Sequence, residues 1–108
     1  MITINKEIEL NQLEEKVARK ILVNGESLMM VEVYFKKGGI GQVHSHEEHE
    51  QVSYVVGGSF EISCDDEKKV LKSGDSFYAD KNVEHGVKAL EDGVILDIFT
   101  PIREDFVE

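Results

Sequence analysis

"QVSYVVGGSFEISC", residues 51–64, sets two alternating apolar runs on either side of Gly57-Gly58. Gln51, Ser53 and Val55 fall on one face of the first run, and Val52, Tyr54 and Val56 on the other, the period of two that belongs to a strand. Glycine adopts positive φ at little cost, so the stretch predicts strands over 51–56 and 59–64 joined as a hairpin.

The same rhythm extends in both directions. Upstream, "VARKILV" (17–23) and "LMMVEVYF" (28–35) are rich in β-branched, aromatic and other apolar residues and are separated by a turn at Asn24-Gly25. Downstream, "KKVLK" follows the acidic turn Asp65-Asp66-Glu67, and Gly74-Asp75 leads into "SFYA". "HGVKAL" and "VILDIFT" flank Glu91-Asp92-Gly93, and Pro101, which has no N–H to donate, ends the last strand. Only "LNQLEEK" (10–16) has helical character, and it reads equally well as an extended lead-in. Turn signals this frequent predict an all-β, antiparallel sandwich or barrel.

The chain has 108 residues, 41% of them apolar, which suits one domain over 1–108 with a single core. Its formal net charge of -10 would repel nucleic acid backbones and anionic lipid surfaces, so neither is expected as a partner. The N-terminal "MITINKEIELNQLEEK" lacks a basic start followed by an apolar block, and no stretch approaches the ~20 apolar residues of a membrane span. A soluble, cytoplasmic protein is expected. Cys64 is the only cysteine, which excludes an internal disulfide and a thiolate-rich zinc site. Its acidic neighbours disfavour a thiolate, and it reads as a small strand residue.

Immediately before the opening stretch lies "QVHSHEEHE" (42–50), with three of the four histidines. His44 and His46 would project from the same face of an extended segment, as ligands of one metal ion must. His49 follows in the connecting turn and reads as a loop residue or a substrate contact. His85 is distant in sequence, and only tertiary folding could bring it in. Histidines at this spacing are by themselves a weak metal signal.

The glycines around them add specificity. Gly38, His44, His46, Gln51 and Gly58 stand as G-x5-H-x-H-x4-Q-x6-G. This resembles the first motif of the cupin family, G(X)5HXH(X)3,4E(X)6G, with Gln51 in the Glu place. Gly74, Asp80, Asn82 and His85 match the spacing of the second cupin motif, G(X)5PXG(X)2H(X)3N. Its Pro is replaced by Asp80, its second Gly by Asn82 and its final Asn by Ala89. The resemblance implies a cupin double-stranded β-helix, or jelly-roll barrel, with a divalent metal held by His44, His46, Gln51 and His85. Glu50 with Gly57 satisfies the family's shorter spacing, but "QVSYVVGGS" aligns with the family's apolar pattern when Gln51 is the ligand. Three imidazoles and an amide suit Ni, Zn, Fe, Mn or Co, without selecting among them.

The last strand narrows the likeness. In "VILDIFTPIREDF" Asp97 and Phe99 share a face with Ile95, and Arg103 follows Pro101. Without reference to any family, Asp97 and Arg103 would read as an ion pair at the barrel rim. With the H-x-H-x4-Q set, however, the D-x-F-x-x-x-R stretch is similar to that of the KdgF-type pectin-degradation cupins, which convert 4,5-unsaturated uronates into linear ketonised sugars. The resemblance implies roles for three residues: Asp97 as general acid and base, Arg103 as a clamp on the substrate carboxylate, and Phe99 as packing against the sugar ring. Tyr78 and Met30 are further candidates to line the cavity, and core packing explains them equally well. A homodimer is expected, as for small cupins generally. Two other readings remain: a non-catalytic ligand-binding or sensing cupin, and a metal-dependent cupin dioxygenase. The Asp97, Phe99 and Arg103 set argues against the dioxygenase, because a flat apolar substrate needs neither charge.

Overall fold

The computed structural model describes residues 1–103; the end of the "PIREDF" stretch, Glu104 to Phe106, and the last residues of the 1–108 span lie outside the described residues. Ten strands follow one short 3-10 turn, Asn5–Glu7: β1 (Asn11–Glu14), β2 (Val17–Asn24), β3 (Met29–Phe35), β4 (Ile40–His44), β5 (Glu50–Gly57), β6 (Ser59–Cys64), β7 (Glu67–Lys72), β8 (Ser76–Ala79), β9 (His85–Ala89) and β10 (Gly93–Thr100). They form a six-stranded sheet in the order β1-β2-β3-β10-β5-β8 and a four-stranded sheet in the order β4-β9-β6-β7. The pairings are antiparallel, the all-β jelly-roll arrangement expected from the turn rhythm.

The opening stretch forms two strands but not a hairpin. β5 pairs with β10 and β8, whereas β6 pairs with β7 and β9 in the other sheet. Gly57-Gly58 is therefore a corner at which the chain leaves one sheet for the other. Gly58 has φ 84°, and a Cβ there would lie 2.6 Å from the Asp92 carbonyl oxygen. Positive φ serves a corner as well as a hairpin, and the close approach of the segment before β10 is what requires glycine. The local hairpin lies one strand later, where Asp65 and Asp66, at φ 47° and 66°, join β6 to β7.

Residues 10–16 take the extended alternative rather than the helical one. Asn11–Glu14 pairs with β2 and is exposed throughout, because so short a charged segment gains more from a sheet edge than from an isolated helical turn.

The core forms where the two sheets face each other. Val17, Phe35, Val55, Phe60, Ile62, Ala89 and Ile95 make one buried cluster, with the Phe35 and Phe60 rings edge to face at 5.2 Å. Along β5 the burial alternates strictly: Gln51, Ser53 and Val55 are buried, while Val52, Tyr54 and Val56 are exposed. Two of the three inward positions of β5 are therefore polar, and they lead to the site.

Candidate metal centre

His44 and His85 are brought together by sheet register. β4 and β9 pair Gly41 with Val87, and a bulge before the next pair places His44 opposite His85. An extra residue of this kind re-aims a side chain. β4 ends at His44, so His46 is not held by strand alternation. Its backbone carbonyl instead accepts a 2.7 Å hydrogen bond from the Asn82 N–H. Asn82, at the second-motif position usually held by Gly, takes φ 65°, a conformation Asn tolerates.

The three rings converge, with centroids 4.4 Å apart for His44 and His85, 4.6 Å for His44 and His46, and 5.4 Å for His46 and His85. One nitrogen from each lies within 4.8 Å of the others. His85 Nδ1 donates to the Val83 carbonyl at 3.1 Å, and His44 Nδ1 to the Gln42 carbonyl at 2.6 Å. Those bonds put the proton on Nδ1 and leave Nε2 with a lone pair, the usual outer hydrogen bond of a ligating histidine. His85 Nε2 is buried and has no hydrogen-bond partner among the described residues. A buried acceptor without a donor is costly, and beside two other imidazoles it fits a metal ligand.

The electrostatics favour neutral imidazoles. Burial, followed by the Arg103 charge and the neighbouring histidines, pushes His46 down to about 4. His85 is also lowered, chiefly by burial, against the opposing effect of its bond to Val83. At neutral pH neither has a proton to lose before offering its lone pair.

β5 and β10 supply the facing wall. Their register sets Gln51 against Phe99 and Ser53 against Asp97. Ser53 Oγ donates to Asp97 Oδ1 at 2.6 Å, and Gln51 Nε2 donates to Ser53 Oγ at 2.8 Å and to Asp97 Oδ1 at 3.3 Å. Asp97 keeps some exposed surface, but its carboxyl is packed deeply enough that burial pushes it up to about 6, against the lowering effects of Ser53, Gln51 and Arg103. Glu50 has the opposite parity to Gln51, and its carboxylate acts on the outward Tyr78 hydroxyl.

Beyond β10, Arg103 Nη1 lies 3.3 Å from His46 Nε2, and its guanidinium stands 5.6 Å from the Phe99 ring centre. Phe99 is buried and meets His46 edge to face at 6.3 Å. His49 donates from Nε2 to the Ile102 carbonyl at 3.0 Å, which ties the histidine loop to the segment that carries Arg103. Arg103 lines a shallow pocket of about 320 Å³ with Ser45, His46 and His49.

The residues given site roles from the sequence form two linked groups: His44, His46 and His85 converge on one another, Gln51 and Asp97 are joined through Ser53, and Phe99 and Arg103 connect the two, Phe99 against His46 and Arg103 against both His46 and Asp97. Tyr78 and Met30 belong to neither. Tyr78 is half exposed beside Val52 on the outer face, and Met30 has the opposite parity to the buried Met29 and Val31. Cys64 ends β6 with its thiol pushed up by burial and by Asp65 and Glu67, in keeping with an inert strand residue. Ser53 is the addition, and His49, read from the sequence as a loop residue or a substrate contact, gains a tie to Ile102. The signal for Ser53 in the sequence is the face it shares with Gln51; for His49 no sequence signal points to Ile102.

A family profile described as a cupin domain matches residues 31–99. The chain is 46% identical over 105 residues to the pectin degradation protein KdgF of Dickeya dadantii (strain 3937), covering 96% of each. The solved structure of KdgF from Halomonas sp. superposes with a TM-score of 0.95 at 40% identity, covering 98% of this chain and 99% of that one. An RmlC-like cupin from Shewanella frigidimarina NCIMB 400 superposes with a TM-score of 0.93 at 39% identity, covering 97% and 94%.

Proposed function

The chain belongs to the cupin family, and for a cupin this similar to KdgF proteins we propose conversion of 4,5-unsaturated uronates, released in pectin and alginate degradation, to linear ketonised sugars. The observation that carries this reading is a set of three converging imidazoles, one with a buried nitrogen that has no partner among the described residues, beside an arginine that also acts on a carboxyl raised to about 6.

The substrate has a C4=C5 double bond, a ring oxygen on C5 and a carboxylate at C5. Ketonisation adds a proton at C4 and water at C5. The C5–ring-oxygen bond of the resulting hemiketal then breaks as the C5 hydroxyl gives up its proton to become a ketone, and the former ring oxygen takes a proton and stays on C1 as a hydroxyl. A divalent Ni, Zn, Fe, Mn or Co ion held by His44, His46, His85 and Gln51 would supply Lewis acidity toward an anionic oxygen of the substrate. Arg103 presents a planar fork to the carboxylate, at the rim where substrate enters. Asp97 in its acid form delivers the proton to C4, and as carboxylate it takes one from the attacking water. A group poised near 6 does both close to neutrality. Phe99 offers the sugar ring an apolar wall and restricts water.

The whole of 1–108 is read as one cupin domain acting on a small anionic sugar. The exposed Val52, Tyr54, Val56 and Tyr78 on the outer face of β5 and β8 support a homodimer that covers them. Among the described residues no helix is long and apolar enough to cross a membrane, and a cytoplasmic site of action suits an enzyme that feeds sugar catabolism.

The test is spectroscopic. Metal-loaded protein added to 4,5-unsaturated galacturonate should speed the loss of ultraviolet absorbance from the conjugated double bond. Decay at the spontaneous rate, with the sugar nonetheless bound, would leave a binding or sensing cupin instead.

A further inference from the structure

Gln51 and Asp97 are held by a residue that neither coordinates nor reacts. We propose that Ser53 is the positioning residue of this site: its hydroxyl fixes which end of the Gln51 amide faces the histidines and where the Asp97 carboxyl stands. The inference deepens the ketonising reading and rests on it for the role of Asp97.

The argument is a count of donors and acceptors. A serine hydroxyl has one proton and two lone pairs. In the structure the proton is directed at Asp97 Oδ1 at 2.6 Å, the short distance of a bond to a carboxyl group. A lone pair then accepts from Gln51 Nε2 at 2.8 Å, and the same amide nitrogen reaches Asp97 Oδ1 at 3.3 Å. With Asp97 as carboxylate, its form above about pH 6, the triangle closes only one way round. If the amide were flipped, its oxygen would face Asp97 Oδ1 with no proton between them, and the single Ser53 proton could satisfy one of the two oxygens and not both. The amide nitrogen is thus committed to Ser53 and Asp97, and Oε1, the only atom of Gln51 able to ligate a cation, is turned away from them.

Sheet register makes the arrangement rigid. Ser53 is directly across from Asp97 and two residues from Gln51 on the same face of β5. It is 1% exposed, and Gln51 is 5% exposed, so bulk water does not compete for these bonds. An alanine would keep the packing and lose the link. Gln51 Nε2 would retain only its longer contact with Asp97, and the carboxyl would lose its shortest donor.

The experiment compares Ser53→Ala with wild type in two ways that do not depend on each other. Cobalt(II) is titrated into the metal-free protein, and its visible spectrum reports ligand geometry and affinity. Separately, kcat and KM are measured on 4,5-unsaturated galacturonate with the metal-loaded protein. Ser53→Ala should bind cobalt about tenfold more weakly with an altered visible band, the size of effect expected when a ligand loses its supporting bond. It should lower kcat about tenfold or more, with KM moving less. Ser53→Thr, which keeps the hydroxyl, should restore both. If the alanine variant fails to fold, Ser53→Thr and Ser53→Val are compared instead, since they share a shape and differ in the hydroxyl. An unchanged cobalt spectrum, affinity and kcat in the variant that lacks the hydroxyl would overturn the proposal. If wild type shows no turnover, the ketonising reading fails, while the cobalt titration still decides whether Ser53 orients Gln51.

Discussion

β5 and β10 run side by side through the molecule, and their two halves do different work. Toward the Gly57 corner the inward pair is Ile95 against Val55, both inside the cluster built around Phe60. Toward the other end the inward pairs are Asp97 against Ser53 and Phe99 against Gln51. One register serves both halves. Strand alternation turns a side chain inward whether it is apolar or polar, so a core that locks the register at one end fixes buried polar groups at the other. The apolar half gains stability from burial. The polar half buries a carboxyl that would rather be ionised in water, the mark of a site kept for function.

The comparison breaks most sharply at Asp97. Asp97→Asn preserves size and removes the proton, so kcat on the unsaturated uronate should fall roughly 10²- to 10⁴-fold with the fold and metal content retained. A variant with the wild-type rate would remove Asp97 from the chemistry. Phe60→Ala is the counterpart in the apolar half. Phe60 has no exposed surface, and truncating it should cost about 3–5 kcal/mol in a urea melt. Metal content of the folded fraction should hold. A loss under 1 kcal/mol would mean that the register is locked elsewhere.

These two halves were unequally legible in the sequence. Alternation in "QVSYVV" separates the two faces of β5 without saying which turns in, since the more apolar face, Val52, Tyr54 and Val56, is the exposed one; the histidine and glycine spacing points to Gln51 and hence to the metal side. The hairpin reading of Gly57-Gly58 failed because positive φ at a glycine is the same local event in a hairpin and in a corner. What separates them is the strand that pairs alongside, β10 or β9, which lies far along the chain. The place of Tyr78 and Met30 stays open in the sequence for a related reason. "SFYA" and "LMMVEVYF" have large apolar residues in both parities, so nothing local says which face turns in. Ser53 shares a face with Gln51 in the sequence, but its value depends on Asp97 being opposite, and that register is a tertiary fact.

The buried carboxyl also gives a smaller, pH-dependent signature. Asp97 titrates near 6 in the fold against an ordinary 3.8, so between those values the native state holds a proton that the unfolded chain has released. Its contribution to stability therefore falls as pH rises through that window, and the penalty is complete above about 6. His46 and His85 are shifted the other way and contribute stability that grows as pH rises toward 6.5. Asp97→Asn removes only the first effect. In metal-free protein the stability of the variant relative to wild type should increase from pH 4 to pH 7, by roughly 3 kcal/mol at most, because Asp97 retains some solvent contact. Urea melts at each pH measure it. A flat difference would mean that the carboxyl is better solvated than its surroundings indicate.

The finest test separates two neighbours on β5. Gln51 is buried beside Ser53 and Asp97, whereas Glu50 has the opposite parity, with its carboxylate near the Tyr78 hydroxyl on the outer face. A carboxylate is the stronger ligand in isolation, so on chemistry alone Glu50 would be preferred. Geometry opposes it, since a one-residue slip of β5 would turn Glu50 in but would also expose Val55 and unpair Ser53 from Asp97. Gln51→Ala should therefore weaken metal binding about tenfold, ~1.4 kcal/mol, while Glu50→Ala leaves it nearly unchanged. Metal analysis after dialysis against a weak chelator measures both. If Glu50→Ala proves the more damaging, β5 binds metal in the other register, and the polar half is not held by the apolar one.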